Sequence, residues 1–154
     1  MHIADSGPHL PKQPPLCYTE KLHIRFRVKA QGHGMTKKIL LVEDDFETRY
    51  LLSLVLRNEG YEVLTVRDGD AAFAIAVERG FDLIITDVDM PIMNGVVLTS
   101  KIRSTPVTAS VPVVGITAYG PATIKSMLEA GASVCARKPL NFEDFIPKIR
   151  ELLT

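Results

Sequence analysis

The sequence predicts an α/β protein, a doubly wound parallel sheet with helices on both faces. Three observations carry that reading. Between residues 38 and 154, five apolar runs of strand length alternate with five segments of helical period. Such alternation is the pattern of βα units, whose right-handed crossovers set strands parallel and lay helices across the sheet. Helix punctuation falls between the runs: Gly60, Gly80 and Gly131 at stops, Asp68 and Pro121 at starts. Finally, three of the apolar runs end on charge. Glu43 and Asp44 follow Ile39-Leu40-Leu41-Val42, Asp87 follows Leu83-Ile84-Ile85-Thr86, and Lys138 closes a third run.

Residues 38–43 read as a buried strand, and residues 46–58 as a helix. Its apolar positions Phe46, Tyr50, Leu51, Leu54 and Val55 fall on one side, which is expected to face the core. Residues 61–66 form the second strand. Asp68-Gly69 makes a turn and a cap for an alanine-rich helix that runs to about Arg79. The third strand spans 82–87 and the third helix 95–104, separated by Met90, Pro91, Asn94 and Gly95, which break any strand. The fourth strand spans 112–117, with Pro112 tolerated at its first position. A helix from Pro121 to Gly131 leads to the fifth strand, 133–137, and a last helix closes the domain. Pro147 lies within that helix, removes a backbone donor and crowds the preceding turn. It predicts an irregular start or a kink there.

Residues 1–35 differ from the rest. Pro8, Pro11, Pro14 and Pro15 exclude regular structure from the first half, and all four histidines (His2, His9, His23, His33) lie here at spacings that match no metal-ligand pattern. Leu22, Ile24, Phe26 and Val28 alternate with basic or histidine positions, a strand-period pattern. The segment is expected to be a Pro-rich, basic tail, disordered or upstream of a natural start at Met35, with the folded domain at 36–154. The tail holds five Lys/Arg against two Asp/Glu, yet the whole chain has a formal net charge of zero. No global charge therefore points to nucleic acid. Cys17 and Cys135 are too few and too separated for a disulfide framework, which favours a reducing, cytoplasmic setting. No apolar run reaches the roughly 18–20 residues of a membrane span, so no membrane partner is expected.

Strand ends carrying acid, acid and base converge where open α/β sheets bind ligands. Three carboxylates within a few ångströms repel by roughly 4 kcal/mol per pair at an effective dielectric of 20. A protonated member or a bound cation relieves that repulsion, and hard oxygen ligands suit Mg²⁺. Asp87 then serves as a nucleophile that forms an acyl phosphate. Lys138 stabilises the phosphoryl oxygens as a point charge, and Thr117 at the end of the fourth strand donates its hydroxyl to the same group.

The spacings are specific as a set. Asp44 to Asp87 is 43 residues, Asp87 to Thr117 is 30, and Thr117 to Lys138 is 21. Together with Leu41-Val42-Glu43-Asp44, Asp87-Val88-Asp89-Met90-Pro91, Gly95, Thr117-Ala118 and Lys138-Pro139, they resemble the receiver domain of bacterial two-component response regulators over about residues 37–153. The resemblance implies a five-stranded parallel sheet in order 2-1-3-4-5, flavodoxin-like, with a cis Lys138-Pro139 bond. It implies a phosphoacceptor, not a conventional enzyme: Asp87 takes a phosphoryl group from a phosphohistidine on a sensor histidine kinase or phosphotransfer protein. It implies Mg²⁺ held by Asp44, Asp87 and the Asp89 carbonyl, with Glu43 acting through water. Asp45 then starts the first helix. The chain is expected to stand alone and to signal to a downstream protein target, with no direct contact to nucleic acid.

Two positions depart from the common pattern. Many family members have an aromatic residue three positions before the lysine, where this chain has Cys135. Tyr119 is a candidate substitute. Asp89 puts a second acid two residues after Asp87, either beside the path of an attacking water or as a loop residue that offers only its carbonyl. Two other functions compete. Asp87-Val88-Asp89 after a strand resembles the nucleophile and acid of haloacid-dehalogenase-type phosphatases, although the motif lies on the third strand and no room remains for a cap domain. A receiver-shaped scaffold that works without phosphorylation is the other, and the complete acid, threonine and lysine set argues against it.

Overall fold

The computed structural model describes residues 34–154. The calls made on the preceding segment (its prolines, histidines, Cys17 and the alternating stretch) lie outside the described residues. Five strands alternate with five helices: β1 (Lys38–Val42), α1 (Phe46–Asn58), β2 (Glu62–Val66), α2 (Gly69–Glu78), β3 (Leu83–Asp87), α3 (Gly95–Ser104), β4 (Val113–Thr117), α4 (Pro121–Glu129), β5 (Val134–Arg137) and α5 (Phe142–Leu152). All four strand pairings are parallel, and the order is β2-β1-β3-β4-β5.

The strand period of two separates two cores, because successive side chains leave opposite faces of the sheet. Ile39, Leu41, Ile85 and Ile116 meet Leu52, Val55 and Leu56 of α1 and Phe145, Ile146 and Ile149 of α5. Leu40, Val42, Ile84 and Val113 meet Ala72 and Ala76 of α2, Leu98 and Ile102 of α3, and Met127 of α4. Strands β3 and β4 are buried along their whole length. They are therefore near-continuous apolar runs that end abruptly on Asp87 and Thr117.

Local chemistry sets the boundaries. Asp45, Asp68, Asn94 and Asn141 each accept a backbone N–H at the start of a helix. Gly60 and Gly131 take φ of 93° and 107°, a region that side chains avoid, and each follows the C-cap residue of a helix. Helix α4 is attached differently. Gly120 precedes it without a side-chain cap, and Met127 is its one buried residue. A Cβ on Gly115 of β4 would stand 2.7 Å from Met127 Cγ, so the bare glycine makes the hollow that this side chain fills.

Two expectations need correction. Helix α1 does not turn Phe46, Tyr50 and Leu54 inward; they are 68%, 59% and 41% exposed. The buried arc runs through Leu52, Val55 and Leu56, and the Phe46–Tyr50–Leu54 row lies to its side. Phe46 and Tyr50 instead stack on each other at 6.2 Å, with the Arg49 guanidinium 5.7 Å from the Phe46 ring. Helix α5 starts regularly on its Asn141 cap, where an irregular start was one of the two expectations, and it includes Pro147. Burial of Phe145, Ile146 and Ile149 holds it together across the lost hydrogen bond.

Candidate functional site

The carboxyl ends of β1, β3, β4 and β5 deliver the polar residues to one edge of the sheet. Glu43 continues β1 by one residue, its N–H bonding the Val66 carbonyl at 3.1 Å. Its side chain is 1% exposed, whereas Asp44 is exposed. The Arg49 guanidinium donates to the carbonyls of Glu43 and Asp44 at 2.8 and 3.1 Å, which fixes the acidic turn from α1. Asp45 points the other way and accepts from Thr48 N at 2.8 Å as the cap of α1. That bond holds the Asp45 carboxyl below its ordinary value. Asp87 ends β3 and is 5% exposed. Gly95 packs its backbone against that strand end: its N–H bonds the Val88 carbonyl at 2.9 Å.

Oxygen atoms of Glu43, Asp44 and Asp87 all lie within 4.8 Å of one another. Lys138 faces them from the end of β5, where the Lys138-Pro139 bond is cis. Its Nζ stands 3.0 Å from Glu43 Oε2 and 3.3 Å from Asp87 Oδ1. Asp87 Oδ1 is buried and takes no hydrogen bond among the described residues, so Lys138 attracts it without the alignment of a donor. A buried oxygen that takes no hydrogen bond, in a cluster of three carboxylates facing one ammonium group, fits a divalent cation, which needs oxygen ligands and compensates their charge.

Thr117 ends β4 and is fully buried. Its hydroxyl donates to Asp89 Oδ2 at 3.0 Å and accepts the Tyr119 N–H at 3.0 Å. The two sequence-based readings of Asp89 both missed this bond. Asp89 and Thr117 are 28 residues apart, and no local pattern links them. Tyr119 itself is 60% exposed, on the surface of the loop. Cys135 is half-buried against the second core, and its Sγ lies 3.1 Å from where a Cβ on Gly115 would stand.

Burial drives the electrostatics of the site. Desolvation, with Asp87 adding to it, pushes Glu43 up to about 7 against the pull of Lys138. Asp87 is raised for the same first reason, opposed by Lys138. Burial pulls Lys138 down, but its contacts with Glu43 and Asp87 outweigh that and leave it above the usual lysine value.

A pH dependence follows. Unfolded Glu43 titrates near 4.5 and folded Glu43 near 7, so within that window the folded state binds more protons. Stability therefore falls as pH rises through it. Asp87, also raised, acts in the same direction, while Lys138 stays charged throughout. In EDTA, the Tm is expected to drop by about 5 °C between about pH 5 and pH 7.5. Mg²⁺ is expected to restore most of the loss at pH 7.5 and little at pH 5. A Tm independent of both in differential scanning calorimetry would contradict the clustering of these acids.

A parallel sheet in this order, with acids and a lysine gathered at its carboxyl edge, defines a signalling class of flavodoxin-like domain. Residues 39–150 match the response regulator receiver domain, and the chain belongs to that family, which works in two-component signalling. It is 37% identical over 117 residues to the CpxR homolog of Haemophilus influenzae, a transcriptional regulatory protein. The match covers 75% of this chain and 50% of that protein, so the chain spans about half of its relative's length. Among solved structures, the chemotaxis protein CheY4 of Vibrio cholerae superposes with a TM-score of 0.71 at 32% identity, over 77% of this chain and 99% of that one. The receiver domain of a sensor histidine kinase from Pseudomonas aeruginosa gives a TM-score of 0.72 at 28% identity, over 77% and 98%. That structure has a magnesium ion coordinated in its active site cleft.

The expectation of no direct nucleic-acid contact gains no support from a relative that is a transcriptional regulator. Among the described residues, no helix is long and apolar enough to cross a membrane.

Proposed function

We propose that, in the cytoplasm, Asp87 accepts a phosphoryl group from a phosphohistidine on a sensor histidine kinase or phosphotransfer protein, and that the modified domain signals through contacts with a downstream protein. One observation carries the reading: a buried carboxylate oxygen of Asp87, without a hydrogen bond, lies between two acids and an ammonium group. In the transfer, an Asp87 oxygen attacks phosphorus as the N–P bond breaks, and the electron pair leaves with the imidazole, which takes up a proton. Lys138 holds its positive charge beside the oxygen that becomes the acyl phosphate. Asp44, Asp87 and the Asp89 carbonyl would hold Mg²⁺, with Glu43 acting through water, and the ion would supply charge neutralisation for the phosphoryl oxygens. Glu43 and Asp44 bring the residues for that role; Asp45 is committed to its helix.

A phosphohydrolase reading would need Asp89 as a free acid, and its carboxylate is instead engaged by Thr117. Steady turnover of a phosphate ester, lost in Asp89→Asn, would favour it. The direct test is incubation with acetyl phosphate and Mg²⁺ followed by intact mass. One added phosphoryl group is expected, sensitive to EDTA and mapped to Asp87 by borohydride reduction and peptide analysis. No gain in mass, or a gain at another residue, would remove Asp87 from this role.

A further inference from the structure

The bond between Thr117 and Asp89 has no part in the transfer itself. Asp89 is an exposed loop residue, yet its carboxylate takes the hydroxyl of a fully buried threonine. The same hydroxyl oxygen accepts the Tyr119 N–H, so one atom ties the β3–α3 loop to the β4–α4 loop. A hydroxyl has a single proton to donate. While Asp89 holds it, Thr117 has none for an acceptor on Asp87.

We propose that Asp89 is an internal stand-in for the phosphoryl group, occupying the Thr117 hydroxyl in the unmodified domain and surrendering it when Asp87 is modified. The inference rests on the phosphoacceptor reading of Asp87. The exchange follows from charge. A phosphoryl group two residues away adds nearly two negative charges and three acceptor oxygens. It repels the Asp89 carboxylate and offers Thr117 a stronger acceptor in the same step. Tyr119, bonded through the Thr117 oxygen, then feels the change directly, along with the edge of the cleft of about 510 Å³ that Asp89, Tyr119 and Thr123 line. Asp89 thus sets the resistance against which the modified state forms. It is a positioning residue, acting through Thr117.

Beryllofluoride with saturating Mg²⁺ is the probe, and the Tyr119 amide resonance is the readout, in the full chain. Asp89→Ala removes the acceptor and is expected to lower the half-saturating beryllofluoride concentration about tenfold, the worth of one hydrogen bond to a charged group. Asp89→Asn, which keeps an acceptor oxygen, is expected to give a smaller change. In a Thr117→Ala background, where the Tyr119 amide has lost its acceptor and the fluorine resonance of bound beryllofluoride is read instead, Asp89→Ala is expected to change the midpoint less than about twofold, since its partner is gone. Without beryllofluoride, Asp89→Ala should already move the Tyr119 amide part of the way towards its saturated position. An equal gain from Asp89→Ala with and without Thr117 would mean simple charge repulsion and would overturn the latch. So would a Tyr119 amide that does not respond to Asp89→Ala. Wild-type protein that takes up no beryllofluoride would instead overturn the phosphoacceptor reading, and the latch with it. Asp89 is exposed, so neither substitution threatens the fold.

Discussion

Asp87→Asn is expected to gain no phosphoryl mass from acetyl phosphate and Mg²⁺, with incorporation falling below about one hundredth of wild type, since the amide oxygen is no nucleophile. The substitution changes shape very little, which makes the loss chemical and not structural. Stability should move the opposite way. Asp87 is buried beside Glu43, and burial disfavours its charge. Removing that charge is expected to stabilise the metal-free protein near neutral pH, because the amide does not carry the desolvation cost that burial puts on the carboxylate. With Mg²⁺ present, the order should reverse, because the wild type gains a ligand that the variant lacks. Urea titrations with EDTA and with Mg²⁺ measure both. An Asp87→Asn protein that still takes up one phosphoryl group, or that is less stable than wild type in EDTA, would show that the charge at this position is not the source of the strain.

Gly95→Ala carries the second large effect. A Cβ at that position would stand 2.6 Å from the Asp87 carbonyl oxygen and 2.8 Å from Val88 Cα, and both are backbone atoms that cannot turn aside. The start of α3 would have to lift away from the end of β3. A cost of about 2–3 kcal/mol is expected, against a helix-propensity gain of at most about 1 kcal/mol. Because the displaced strand end carries Asp87, phosphoryl uptake should slow as well. Gly80→Ala is the control: a Cβ there meets nothing within 4 Å. Equal stability of the two variants in urea would show that Gly95 is not a close-packing requirement.

The fold was readable because its signals are local. Each β run is a short apolar stretch, and every helix start but that of α4 has a side chain that bonds its own backbone, as Asp68 does with Ala71 and Asn94 with Val97. Strand order is not a local property, and it came from the resemblance of the whole residue set to a known family. Convergence of Glu43, Asp44 and Asp87 was legible because all of them follow strands of one sheet. What was not legible has a common cause. Whether Phe46 and Tyr50 face the core depends on where α1 lies across β1 and β2, which helical periodicity leaves open by tens of degrees. Whether Asp89 offers its carbonyl or its carboxylate depends on a threonine 28 residues away. The survival of α5 across Pro147 likewise depends on the apolar surface that Phe145 and Ile149 bury against other elements.

Helix α4 hangs on the sheet by one methionine seated in the hollow that Gly115 leaves. With so little apolar area to re-expose to water, and no side chain fastening its first turn, detaching it takes less work than detaching any helix with a broad buried face. Helix α3, which packs beside it, buries Leu98 and Ile102 and is anchored too deeply to yield first. A disturbance arriving at the β4–α4 loop is therefore expected to shift the helix that follows before it moves the sheet beneath.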